Sequence, residues 1–243
     1  MQCHNRLGKG MRPMSAWQNV LLTDSGFFDP FDLKRPLAPI VERFAQMVGK
    51  PFSQARVLFV PAAACDEESR QLADILQWEL EKLSFLPEHI TAYELDGSLS
   101  DKEVLDFDVM FFTGGWCEHL LKLIKQTHFN ELIQKFVFSN KVYVGVSAGS
   151  VIATPNIMGC FGGAESEETS SLGLIPAYID CHCDLKPGLT AKRLPLPHIL
   201  LHFNQALAVS SGGFQLLEDR EARHTIDWTY PPRFGVEVFR PID

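Results

Sequence analysis

A serine between two glycines and small neighbours is the first feature of this chain that could do chemistry. Residues 141–155 read KVYVGVSAGSVIATP, and Ser147 occupies the centre of Gly145-Val146-Ser147-Ala148-Gly149. Val142, Tyr143 and Val144 form the end of an apolar strand, and the residues after Gly149 read as a short helix closing near Pro155. A strand that passes into a helix through Gly-x-Ser-x-Gly presents its hydroxyl on a sharp turn, where only small flanking residues avoid collision. The amides at the start of the following helix face the place where negative charge would develop during attack. A second glycine turn, Gly114-Gly115 within FFTGGWCEHLL (residues 111–121), also ends a hydrophobic strand and opens a helix. Its backbone N–H groups suit an oxyanion hole. A general base for Ser147 is needed as well, and YIDCHCD (residues 178–184) offers His182 at the end of a late strand. His198 and His202 lie inside the apolar run HILLHF and read as packing residues, while His119 is one helical turn past the glycines. Cys160, Cys181, His182 and Cys183 are a weaker candidate for a metal site. Adjacent strand residues point to opposite faces, so the Cys-His-Cys run does not converge on one ion.

The elements that must position these groups alternate along the chain. Strand-like runs occur in NVLLTDSGFF, ARVLFVPAA, ITAYEL, DVMFFTGG and the run before Ser147. Between them, helix is expected over about 36–48, 66–83 and 118–138. The second of these carries Leu72, Ile75, Leu76 and Leu80 on one face. AYIDCHC reads as a further strand, and HILLHF, ALAVSS and GFQLLED as β structure closing the far edge. Alternating strands and helices imply an α/β fold, a mostly parallel sheet covered on both faces, with its site at the carboxyl ends of the strands.

The 243 residues are 46% hydrophobic, which suffices for one large α/β domain over 18–243, and residues 1–17 read as a loose extension. Met11 and Met14 are alternative start positions for the chain. With 22 basic and 30 acidic residues the formal charge is −8, and no basic run occurs, which argues against nucleic acid or an anionic membrane as partner. Six irregularly spaced cysteines and no Asn-x-Ser/Thr acceptor suit a cytoplasmic location rather than a disulfide framework. The first 17 residues lack the apolar core of a signal peptide.

In this order, Gly114-Gly115 with Leu120-Leu121, then Ser147-Ala148-Gly149, then His182, the chain resembles the peptidase E (aspartyl dipeptidase) and cyanophycinase family of serine peptidases. VLFVPAA and ATPNI extend the likeness over about residues 55–220. The resemblance implies a three-layer α/β sandwich of flavodoxin-like or class-I glutamine-amidotransferase-like type. It implies Ser147 as nucleophile, His182 as base, and an oxyanion hole from the amides of Gly114, Gly115 and Ala148. It also implies a small peptide as substrate and no cofactor or metal, and a homodimer is open as the assembly. Two departures stand out. The glycine turn continues as Trp116-Cys117 where the family has Asn-Thr, and Gly162-Gly163 stand where one branch has its acid. Glu165 is the expected acid on loop reach, ahead of Glu167, Glu168 and Asp180; the last, two residues from His182 on a strand, shares its face. An aspartyl specificity would need a cation, for which Lys186, Lys192 and Arg193 are candidates. The rival reading is a non-catalytic binding or regulatory protein on the same scaffold. A glutamine-amidotransferase-like enzyme is disfavoured, since that chemistry uses cysteine at the elbow.

Overall fold

The computed structural model describes residues 19–157, 166–186, 188–211 and 213–222. Residues 1–17, expected as a loose extension, lie outside the described residues. The first strand, β1 (Val20–Thr23), is wholly buried and is followed by a small hairpin of β2 (Phe28–Asp29) and β3 (Asp32–Pro36). Helix α1 (Ala38–Val48) begins with Pro39 in its first turn and ends at Gly49 in the left-handed region, as a helix stop requires. Strand β4 (Val57–Val60) then leads to α2 (Glu67–Lys82), whose start is fixed by a reciprocal cap between Asp66 and Ser69. β5 (Ile90–Ala92) and α3 (Asp101–Leu105) precede β6 (Val109–Phe112), which is entirely buried.

The helix expected over about 118–138 is two helices, α4 (Cys117–Gln126) and α5 (Phe129–Phe138). The break contains neither glycine nor proline. His128 takes φ 54° there, and the Thr127 hydroxyl donates to the Leu123 carbonyl, closing the end of α4. β7 (Val142–Val146) and α6 (Ala148–Val151) flank Ser147. The remaining strands are β8 (Tyr178–Asp180), β9 (His198–Leu200), β10 (Gln205–Ser210) and β11 (Gly213–Glu218).

Seven of these strands form one sheet in the order β11-β10-β1-β7-β6-β4-β5. Pairing is parallel from β1 through β5, and antiparallel only where β10 and β11 close the far edge. One face packs Ile40, Phe44, Leu76 and Leu80 of α1 and α2 against Leu21, Phe59, Phe111 and Val144. The other packs Leu120, Ile124, Ile133 and Phe136 of α4 and α5 against Leu58, Met110, Phe112 and Tyr143. The result is a three-layer α/β sandwich. HILLHF, expected among the β structure closing the far edge, does not reach the main sheet, and neither does β8. β8 pairs with β9 in a separate two-stranded parallel sheet, and Ile179 and Leu201 bury against the α4–α5 side.

Candidate functional site

Register brings the chemistry together at the carboxyl edge of the sheet. Thr23 is aligned with Val146, and Phe112 with Gly145, so the residues leaving β1, β7 and β6 emerge side by side. They are Asp24, Ser147 and the Thr113–Gly115 turn.

Ser147 has φ 49° and ψ −106°, a conformation that L-residues adopt only under constraint. The constraint is visible in its neighbours. A Cβ on Gly145 would lie 2.4 Å from the Gly149 carbonyl oxygen, and one on Gly149 would lie 2.5 Å from that of Phe112. The Tyr143 hydroxyl, fully buried, donates to the Gly149 carbonyl at 2.7 Å. Ser150 Oγ lies 2.8 Å from the carbonyl oxygens of both Thr23 and Gly145, which share its one proton and tie α6 to β1 and β7. The Ser147 amide donates to the Thr23 carbonyl at 3.2 Å.

His182 lies beyond the end of β8 in a left-handed conformation, φ 57°. Its Nε2 is 2.7 Å from Ser147 Oγ, and its Nδ1 is 3.1 Å from Asp24 Oδ2. Its backbone N–H donates to Asp24 Oδ1, so one carboxylate fixes both ring and main chain. The tautomer that satisfies both ring contacts carries its proton on Nδ1 and accepts the serine proton at Nε2. The Ser25 hydroxyl donates to Asp24 Oδ2 at 2.7 Å. Burial alone would push the Asp24 carboxyl up, but the charge of His182 and the hydrogen bonds from its ring and amide more than reverse this, holding it below the ordinary value. For His182, burial favours the neutral ring, yet the facing Asp24 charge wins and its pKa is raised.

Gly114 packs directly on the serine: a Cβ there would meet Ser147 Cβ at 3.3 Å. Gly115 has φ 135° and lies so close to the β4–α2 loop that a Cβ would fall 2.1 Å from the Ala63 carbonyl oxygen. Among the described residues, nothing accepts from the amides of Gly114, which packs on Ser147, of Gly115 next to it, or of Ala148, which follows the serine.

The carboxylate beside the histidine is therefore Asp24, a residue outside the four acids singled out from the sequence. Glu165, the first of those, lies outside the described residues, as do Cys160 and the Gly162-Gly163 pair. Glu167 and Glu168 are exposed, and their backbone carbonyls accept from Lys125 Nζ at 2.8 Å. Asp180 does not share a face with His182, because β8 ends at Asp180 and the chain turns before His182. Asp180 instead pairs with Lys186 at 2.6 Å and with His198 at 3.3 Å. The His198 side chain is buried, whereas that of His202 is about half exposed and pairs with Asp184 at 2.9 Å. His119 is exposed on α4.

Cys181 Sγ contacts the Ser147 carbonyl at 3.8 Å, and Cys183 Sγ contacts the Asp180 carbonyl at 3.3 Å. Burial pushes the Cys117 and Cys183 thiols up to about 12, so they stay protonated. Among the described residues, no group of three or more His, Cys, Asp or Glu side chains could hold a metal ion, and no helix is long and apolar enough to cross a membrane.

A signal for Asp24 exists in the sequence, namely an acid directly after the first apolar strand in VLLTDSG. Its relevance depends on β1 lying beside β7, which only the strand order reveals.

Comparison with known proteins follows the same span. The chain is 35% identical over 102 residues to an uncharacterized peptidase of Listeria monocytogenes, covering 42% of this chain and 49% of that protein. It is 28% identical over 138 residues to an uncharacterized peptidase of Pasteurella multocida, covering 56% of this chain and 61% of the other. These alignments thus span about half to three-fifths of the relatives' lengths. In fold, it superposes on the crystal structure of a putative peptidase E protein from Listeria monocytogenes with a TM-score of 0.63 and 21% identity, covering 83% of this chain and 98% of the other. A peptidase structure from an acI-B1 actinobacterium gives the same TM-score at 16% identity, covering 84% and 89%. The family model for peptidase family S51 matches residues 22–206, a span that holds Asp24, both glycine turns, Ser147 and His182. By that match, the chain belongs to peptidase family S51.

Proposed function

We propose that this protein is a serine peptidase that hydrolyses dipeptides or small isopeptide-like amides through an acyl-enzyme on Ser147. The observation that carries this reading is the unbroken hydrogen-bonded series Ser147–His182–Asp24, set on a strained turn beside unclaimed amides. The Ser147 hydroxyl attacks the carbonyl carbon as His182 Nε2 takes its proton. The carbonyl oxygen gains negative charge and is received by the amides of Gly114, Gly115 and Ala148. His182 then delivers the proton to the leaving nitrogen and the C–N bond breaks. Water, deprotonated by the same ring, releases the acid and restores the serine. Asp24 holds the ring in the productive tautomer and stabilises the imidazolium.

The rival reading, a non-catalytic protein on this scaffold, draws much of its force from the lack of an acid partner in the sequence. Asp24 fills that place. The test is a screen of Asp-x, β-Asp-x and other dipeptides with purified protein and a Ser147→Ala control, combined with a fluorophosphonate probe. Hydrolysis that vanishes in Ser147→Ala, with the probe attached to Ser147 in the unaltered protein, is the expected result. Turnover that survives Ser147→Ala would refute the proposal.

A further inference from the structure

Trp116 is the most exposed large apolar side chain among the described residues, at 58%. Exposed tryptophans are ordinarily mobile at the ring, but this one is held at both ends. Its backbone N–H donates to the Ala63 carbonyl at 2.9 Å, and its indole Nε1 donates to Asp66 Oδ2 at 2.9 Å. Asp66 is itself fixed: its other oxygen accepts from the Ser69 amide at 2.8 Å and the Ser69 hydroxyl at 2.7 Å, closing the start of α2. These Ser69 bonds, with the indole N–H, hold the Asp66 carboxyl at about 2, so the clamp persists at neutral pH. A large apolar surface kept in water and denied its freedom has lost beforehand the entropy that binding would otherwise cost.

Its place relative to the serine is set by the sheet. The order β1-β7-β6-β4 puts Asp24 on one side of Ser147, and the Gly114-Gly115 turn with the Ala63–Asp66 loop on the other. His182, bonded to Asp24, must hand its proton to the leaving nitrogen, so the leaving group lies on the β1 side. The attacked carbonyl oxygen is turned to the glycine amides, and Trp116 directly follows Gly115, so its clamped ring stands next to the turn against which the acyl carbonyl is seated.

Resting on the serine-peptidase reading above, we infer that the clamped indole of Trp116 is a specificity wall. It selects substrates whose residue on the acyl side of the cleaved bond carries an aromatic or large apolar side chain.

The experiment compares kcat/KM for Phe-Ala and Ala-Ala in the unaltered protein, Trp116→Ala, Trp116→Phe and Asp66→Asn, with fluorophosphonate labelling of Ser147 followed in each. Asparagine is a good helix cap and its Oδ1 can still receive Ser69, but its NH2 group meets the indole N–H donor to donor, so this variant frees the ring and spares α2. The unaltered protein is expected to prefer Phe-Ala, and Trp116→Ala to lower that preference about tenfold or more, chiefly through loss of Phe-Ala turnover. Trp116→Phe should keep most of the preference. Asp66→Asn should lose part of it without a change in melting temperature. An unchanged Phe/Ala ratio in Trp116→Ala, with Ser147 still labelled, would overturn the wall while leaving the peptidase reading intact. Absence of labelling in the unaltered protein would remove the peptidase reading, and the wall with it.

Discussion

At the scale of single residues, the site is governed by the opposed shifts of Asp24 and His182. As general base, His182 must be neutral, and the adjoining carboxylate raises its pKa. The acid limb of the kcat/KM profile is therefore expected at higher pH than a free imidazole would give. Asp24→Asn removes the charge that causes the shift. It should move that limb to lower pH and reduce turnover by about a hundredfold or more, toward the 10⁴-fold seen when a triad acid is neutralised. Glu167→Gln and Glu168→Gln, changing exposed side chains, should leave turnover nearly unaltered. A pH–rate series on these three variants checks both statements. Ser147 and His182 are legible in the sequence because their local surroundings announce them: a strand, small residues and a helix for one, a late strand's end for the other. Asp24 is not, because its partner lies 158 positions away and only the lateral order of strands brings them into contact. The acid-rich run at 165–168 drew the sequence reading instead, through nearness along the chain to the elbow.

At the scale of elements, the two glycine turns show how tightly strand ends are packed against each other. Gly115→Ala would set a methyl carbon 2.1 Å from the Ala63 oxygen in a backbone conformation that alanine resists. The turn must then shift, carrying with it amides proposed to receive the oxyanion. Loss of about a hundredfold in kcat is expected, as for removal of one oxyanion donor, with KM little changed. Steady-state kinetics beside a far-UV spectrum would distinguish this from unfolding. The strands of the parallel sheet were legible as continuous apolar runs, since burial on both faces removes alternation. The interruption between α4 and α5 was not, because it depends on His128 entering the left-handed region with no glycine or proline to mark it. HILLHF misled for another reason: a short apolar run records burial but not which sheet receives it.

At the scale of the whole molecule, one ionisable group lies apart from the site yet touches the loop that leaves it. Glu79 on α2 is 2% exposed and accepts from the Phe27 amide at 2.8 Å, three residues after Asp24. Burial raises its carboxyl from 4.5 to about 8, although the Phe27 and Phe28 amides oppose this. The folded state thus binds a proton that the unfolded chain releases near pH 4.5. Its contribution to stability is fully present below that value and is lost as pH rises through about 8. Glu79→Gln should flatten the decline of stability over this window, with a gain on the order of a few kcal/mol at pH 9 relative to the unaltered protein. Urea unfolding of both proteins at pH 5, 7 and 9 provides the measurement. A difference that does not widen with pH would refute it.

The central position of β1 also sets a schedule for folding. Thr23 lies against residues of β7 some 122 positions later, and β10, its other neighbour, is later still. A ribosome adding about 5–20 residues per second needs roughly 6–24 s to supply β7 after β1 has emerged. Throughout that interval a strand that is wholly buried in the native fold has neither of its lateral partners, while β4, β5 and β6 can already assemble with α2 beside them. The segment bearing Asp24 is thus made before both of the strands that flank it and docks only once they are present. Ring closures this long are entropically costly and slow the search for the native arrangement. Activity would accordingly appear late in refolding, after most helical signal has returned, because the acid reaches its histidine only when the middle of the sheet is filled.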